Sequence, residues 1–181
     1  MKIIPIEQSI LIQSTPNHTQ FKDLLLKQIE ETTYETINNS EESITKTDYY
    51  IKETQREWVK TFTSNTQETL QEILNTLQFQ SANFPSVWFQ QYQTNDYHDF
   101  HHHPMSNYSG IYYLELTDNT YTQILINNTI KDIEVNEGDI LVLPSQIVHR
   151  CPKVPRNATG NNSRRTIISF NFDTHKFTVA K

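Results

Sequence analysis

One cysteine in 181 residues, Cys151, excludes an intrachain disulfide and any zinc site built on several thiolates. With only three glycines, the chain must make its turns largely from Asn, Asp, Ser and Pro. Apolar residues reach 35% even with tyrosine counted, against roughly 45–50% in an average domain; Thr, Asn and Gln, 22, 16 and 14 of them, fill the difference. Positive charge is scarce too. Fifteen Lys and Arg against 21 Asp and Glu give a net charge of −6, which disfavours a duplex nucleic-acid partner. No long hydrophobic run exists: Ile3 to Ile12 is broken by Pro5, Glu7 and Gln8, too short to span a bilayer and without a signal peptide's continuous core. No membrane partner and a cytoplasmic location are therefore expected. The Asn-x-Ser/Thr triplets at Asn107, Asn127 and Asn157 are what an Asn- and Thr-rich sequence produces by chance.

Aromatic residues, at 11%, argue against disorder, and the length suits a single domain over 1–181 able to bury about 70% of its unfolded surface. Residues 1–85 and 86–181 read differently. The first part opens with a β-like start (Ile3, Ile4, Ile6, then Ile10, Leu11, Ile12). Phe21, Leu24, Leu25 and Ile29 then predict a helix over 21–37. Residues 38–56 are polar, with Asn38-Asn39-Ser40 as a break, and Ser64-x-x-Gln67 resembles a capping box ahead of Leu70, Ile73, Leu74 and Leu77. From residue 86, runs rich in Val, Ile, Tyr, Phe and Trp alternate with turn residues, predicting strands at 87–92, 97–103, 108–116, 121–127, 130–135, 139–143, 147–151, 166–172 and 176–179. That pattern implies a mainly β fold, a sandwich or barrel with supporting N-terminal helices. Val154 to Ser163 reads as a long loop between two strands.

Four of the seven histidines, His98, His101, His102 and His103, fall within six residues of a predicted strand. Alternation puts Asp99, His101 and His103 on one face and His98, Phe100 and His102 on the other. Two imidazoles on one face can share a metal. His149 follows Glu137-Gly138-Asp139-Ile-Leu-Val-Leu-Pro144, a tight turn and a buried run able to return the chain beside them, which makes a third ligand available. A solvated histidine tract with a strand-end His149 is the plainer account. Zinc with three nitrogens and a water is another, and spacing alone does not choose the metal. No Gly-x-Ser-x-Gly elbow supports a serine hydrolase, and Cys151 reads as a small core residue.

Arg164-Arg165 precede Thr-Ile-Ile-Ser-Phe-Asn-Phe, a strand that begins with cations and continues apolar. Paired arginines usually mark a solvated strand end. Strand periodicity, however, places Arg165, Ile167, Ser169 and Asn171 on one face, and a guanidinium at a barrel mouth suits a carboxylate.

The order of four motifs resembles a known family. Tyr92-Gln-Thr-Asn-Asp-Tyr-His-Asp-Phe-His101-His-His103-Pro, Ser109-Gly-Ile-Tyr-Tyr113-Leu, Glu137 through His149, and Arg165-Thr-Ile-Ile-Ser-Phe-Asn171 together resemble the Fe(II)/2-oxoglutarate-dependent dioxygenases, nearest to prolyl-hydroxylase-like and virus-encoded oxygenases. The likeness covers about residues 86–173. It implies a double-stranded β-helix, or cupin-like jelly roll, with Fe(II), 2-oxoglutarate and O₂ as cofactor and cosubstrates and ascorbate as an accessory reductant. By the same likeness, His101 and His149 are metal ligands, Arg165 holds the distal carboxylate of 2-oxoglutarate, Tyr113 is its hydrogen-bonding companion and Tyr92 lines the pocket. Arg164 is the fallback anchor, because Arg164-x-Thr166 matches an Arg-x-Ser/Thr pattern. The family's acidic ligand is replaced by His103, with Asp99 as the alternative third ligand.

The implied reaction is hydroxylation of an unactivated C–H, with a peptidyl proline as the suggested substrate and succinate and CO₂ released. Trp88, Arg150 and Arg156 are expected along a substrate groove of a peptide or protein partner. Two readings compete. Gly138, Pro144 and His149 are spaced as in the second cupin motif, which suits a cupin-like metalloenzyme not using 2-oxoglutarate, although the first motif's Glu is missing and Glu115 lies too far away. A non-catalytic metal-binding jelly roll is the other.

Overall fold

A computed structural model describes residues 9–51, 56–116, 121–157 and 160–175. In chain order the elements are β1 (Leu11–Ser14), α1 (His18–Glu30), β2 (Glu35–Asn38), β3 (Glu42–Thr47), α2 (Glu57–Thr76), β4 (Ser81–Gln93), β5 (Tyr97–His101), β6 (Tyr108–Glu115), β7 (Thr122–Ile126), β8 (Thr129–Ile133), β9 (Asp139–Pro144), β10 (His149–Cys151) and β11 (Arg164–His175). All recorded pairings are antiparallel, and the hydrogen-bonded order is β1-β9-β6-β11-β4-β3-β5-β10-β7-β8, with β2 on β3. The result is the mainly β jelly roll expected, one curled sheet with two helices against it. The N-terminal elements are woven into that sheet, since β1 extends the edge beside β9 and β3 joins β4 to β5.

Strand alternation divides the apolar residues between two faces. Even-numbered side chains of β11 (Ile168, Phe170, Phe172) join Phe89, Tyr112, Ile140 and Val142 under the helices, against Phe21, Leu25, Trp58, Phe62 and Ile73. Odd-numbered ones turn inward, so Ile167 packs with Ile44, Tyr92, Ile111, Tyr113, Leu141 and Leu143. The helices thus cover one face and leave the other for a cavity.

Turn chemistry follows the glycine shortage. Asn127 and Asn128, with φ of 50° and 60°, close the β7–β8 hairpin, and Asn17 and Asn95 also take positive φ. Gly138, at φ 87°, is the exception that needs glycine: a Cβ there would sit 2.8 Å from the His18 Cβ.

Several boundaries differ from the sequence reading. Helix α1 stops at Glu30, where Thr32 Oγ1 bonds back to the Gln28 carbonyl, and residues expected to continue it form β2. The polar stretch after it contains β3, whose Ile44 is buried; its turn is held by Asn39 Oδ1 accepting from the Glu41 and Glu42 amides. Helix α2 begins at Glu57, so Ser64 is interior, its hydroxyl donating to the Lys60 carbonyl at 2.7 Å rather than capping. Trp58, Phe62, Thr66, Thr69 and Ile73 form the buried stripe that extends the helix upstream. Strand β5 ends at His101, not His103. The expected strand at 176–179 and the Ile3–Ile6 start lie outside the described residues. Among the described residues no helix is long and apolar enough to cross a membrane.

Candidate metal centre and anion pocket

The inner face of the sheet lines a cavity of about 230 Å³ that holds His101, His103, His149 and Arg165 together. His101 ends β5 and His149 begins β10, directly opposite in register. His103 follows β5, its amide bonded to the Ser145 carbonyl at 2.9 Å, in the turn that leads from Pro144 to His149. One ligand nitrogen from each of the three lies within 4.8 Å of the others. His101 Nδ1 bonds to the Asp99 carbonyl at 2.8 Å and His149 Nδ1 to the Ile147 carbonyl at 2.9 Å. Both backbone contacts put the proton on Nδ1 and leave Nε2 as the free lone pair, the usual support for a metal-bound imidazole.

Burial, with the neighbouring imidazoles adding to it, depresses the basicity of the cluster: His149 falls to about 3 and His103 to about 4, and His101 is lowered by burial as well. The rings are therefore neutral at pH 7, as metal ligation requires.

A bulge decides which residues reach the cavity. Cys151 pairs with His98 while His149 pairs with His101, so between these pairs β5 has two residues, Asp99 and Phe100, where β10 has only Arg150. His98 is carried onto the face of His101, and the two rings stack in parallel at 3.8 Å. The expected alternation through 98–103 therefore does not hold. Asp99 turns outward with its side chain 57% exposed, 3.9 Å from the Arg150 guanidinium. Strand regularity could not reveal His98 as a neighbour of the cluster; the bulge had no sequence mark.

Arg165 is 1% exposed and has no carboxylate partner among the described residues. Its Nη1 donates to Cys151 Sγ at 2.9 Å and the Tyr121 carbonyl at 3.3 Å, and its Nη2 to Thr122 Oγ1 at 3.1 Å. The rings of Tyr113 and Tyr92 stand 5.5 and 5.8 Å from the guanidinium carbon. Its Nε is buried with no partner. A buried cation held by neutral groups, one donor still free, fits an incoming anion. Tyr113, whose pKa is pushed up to about 12 by burial, keeps its proton and bonds Thr122 Oγ1 at 2.7 Å. Thr122 and Cys151 are pocket residues that the sequence reading did not single out for this role.

Arg164 points the other way. Its Nε and Nη2 fork onto the Glu115 carboxylate at 2.7 and 3.0 Å, and Nη1 reaches Glu30 at 3.2 Å. Trp88 and Arg150 line the cavity; Arg156 instead donates to the Gly160 carbonyl outside it.

No protein-family model and no curated protein matches the chain. Solved structures do. A prolyl-4-hydroxylase of Pseudomonas putida superposes with a TM-score of 0.62 at 13% identity, covering 91% of this chain and 92% of that one. The collagen prolyl hydroxylase of Paramecium bursaria Chlorella virus-1, in complex with 2-oxoglutarate, gives 0.58 at 12% identity over 91% and 94%. The fold is that of the Fe(II)/2-oxoglutarate oxygenases. A Trichoplax adhaerens prolyl hydroxylase of the same fold, bound to a peptide fragment of the oxygen degradation domain of hypoxia inducible factor, matches at 0.62 and 12% identity over 91% and 83%. In an oxygenase fold, a three-histidine cluster and a buried guanidinium sharing one cavity are the features to be explained.

Proposed function

We propose that this chain is an Fe(II)- and 2-oxoglutarate-dependent hydroxylase in which His101, His103 and His149 hold the metal and Arg165 anchors the distal carboxylate of 2-oxoglutarate. The observation that carries this reading is the fully buried Arg165, without an acidic partner among the described residues and with a free Nε, in the same cavity as the histidine cluster. Iron bound there would supply the activation of O₂ that drives oxidative decarboxylation of 2-oxoglutarate to succinate and CO₂ and hydroxylation of an unactivated C–H.

The chain's own residues do the rest. The guanidinium pairs with the carboxylate, the Thr122 and Tyr113 hydroxyls lie beside it as hydrogen-bonding partners, and the Tyr92 ring closes the apolar side. Ile111, Ile167 and the aromatic walls exclude water, which strengthens each of these contacts. Ascorbate would serve as an accessory reductant.

For substrate we favour a peptidyl proline. Trp88 stands 5.9 Å from the His103 ring, Tyr49 packs edge-on to Trp88 at 5.1 Å, and Tyr50 continues at 4.8 Å to solvent. Tyr49 and Tyr50 are half exposed, and all three line the cavity, a wall on which an apolar pyrrolidine ring could pack. The peptide-bound Trichoplax neighbour supports the same choice.

Anaerobic titration with Fe(II), with and without 2-oxoglutarate, tests the proposal. A new charge-transfer absorption band on adding 2-oxoglutarate is expected. Iron binding without the band would point to a cupin-like metalloprotein, and no iron binding to a non-catalytic jelly roll.

A further inference from the structure

Three imidazoles carry no charge, so a divalent metal among them lacks the negative ligand that a carboxylate would provide. Among the described residues lining the cavity there is one carboxylate, Glu42. It belongs to β3 and sits directly across the ladder from His98 in β5. Its Oε2 lies 3.4 Å from His98 Nε2, with the two side chains only 18% and 22% exposed. His98 in turn lies flat on His101, ring planes 7° apart and centroids 3.8 Å apart. Carboxylate, imidazole and candidate ligand therefore form one continuous stack, assembled by the β3–β5 pairing and by the bulge between β5 and β10.

We propose that Glu42, acting through His98, is the outer-sphere charge and positioning group of the three-histidine centre, standing in for the acidic ligand that His103 replaces. This rests on the metal-centre reading above. A carboxylate beside His98 Nε2 favours the tautomer with its proton there, placing negative charge against the ring that covers His101. In a half-buried wall such a charge is screened far less than in water. The stack also holds His101 against one ring face, beside the in-plane Nδ1 contact with the Asp99 carbonyl, as outer partners of metal-bound histidines do.

Cobalt(II), titrated into the metal-free protein under anaerobic conditions and followed by its d–d absorption, reads the effect without turnover. Glu42→Gln should weaken cobalt binding by about tenfold or more, with the thermal midpoint of the metal-free chain unchanged, and Glu42→Asp should recover part of the loss. In a His98→Phe background, Glu42→Gln should have no further effect, because the intermediary is gone. Glu42→Gln affinity within twofold of the parent overturns the proposal, as does full additivity of the two substitutions. Failure of the underlying reading is separable: a parent chain that takes up no cobalt, or takes it up as well after His149→Ala, removes the centre itself and the proposal with it.

Discussion

The rings of His98 and His101 lie parallel, 7° apart, although residues three apart in a regular strand face opposite sides of the sheet. The bulge opposite His149 and Cys151 inverts the parity between them. It also removes Asp99 from the cavity and leaves the cluster built of imidazoles alone.

A first prediction concerns the third ligand. Asp99→Ala should leave cobalt(II) affinity within about twofold of the parent, while His103→Ala should lower it by at least tenfold. His103→Asp should raise Fe(II) retention in equilibrium dialysis, since it adds a negative oxygen ligand. An Asp99 variant that loses metal as His149→Ala does would move the third ligand to Asp99.

The two adjacent arginines should behave oppositely. Arg165→Ala is expected to cost about 1.5–3 kcal/mol of 2-oxoglutarate binding, the worth of a charged hydrogen bond. Arg164→Ala should leave that affinity intact and lose only the surface fork to Glu115 and Glu30, roughly 0–1 kcal/mol of stability. Isothermal titration with the metal-loaded protein checks the first and denaturant unfolding the second. Equal cosubstrate affinity in Arg165→Ala and the parent would unseat the anchor.

Packing under the helices can be tested at Gly110. A Cβ there would lie 2.2 Å from the Phe170 ring, which belongs to the core beneath α2. Gly110→Ala should destabilise the chain by about 1–3 kcal/mol, and Gly110→Ala with Phe170→Leu should recover part of it. A neutral Gly110→Ala by chemical denaturation would contradict the packing described.

Acid sensitivity should be partly traceable to His18, far from the cavity in its contacts. It is buried, Nδ1 2.6 Å from the Tyr112 hydroxyl and Nε2 without a partner. Burial lowers its pKa and Lys22 assists, while Glu137 and Asp139 oppose the shift. The unfolded chain therefore takes up a proton near pH 6.5 that the folded chain refuses until lower pH. Stability is unaffected above that value and falls as pH drops through the window below it. His18→Gln should lose less unfolding free energy than the parent between about pH 7 and pH 5; identical slopes would refute the assignment.

Much of this was legible in the sequence because it follows from short periods. Alternation along 165–171 places Arg165, Ile167 and Ser169 together on the inner face, and they line the cavity. The Gly138 turn and the apolar run to Pro144 return the chain so that His149 meets His101. What misled was also local. Thr-rich residues after Glu30 carry strand preference that the helical stripe of Phe21, Leu25 and Ile29 overshadowed, and Trp58 and Phe62, outside the aliphatic pattern, set the true start of α2.

Residue identity and spacing were thus enough to set the mainly β class and the inward face of the last strand, since each depends on a two-residue repeat or a turn, and they offered His101, His103 and His149 as metal ligands beside Asp99 and a solvated tract without deciding among them. Tertiary structure alone decided that His98 joins them and Asp99 does not, that Arg165 is buried while its neighbour Arg164 is spent on Glu115, and that Glu42 stands against His98. Those outcomes depend on which strands lie side by side and where a ladder slips by one residue, and no single strand carries that information.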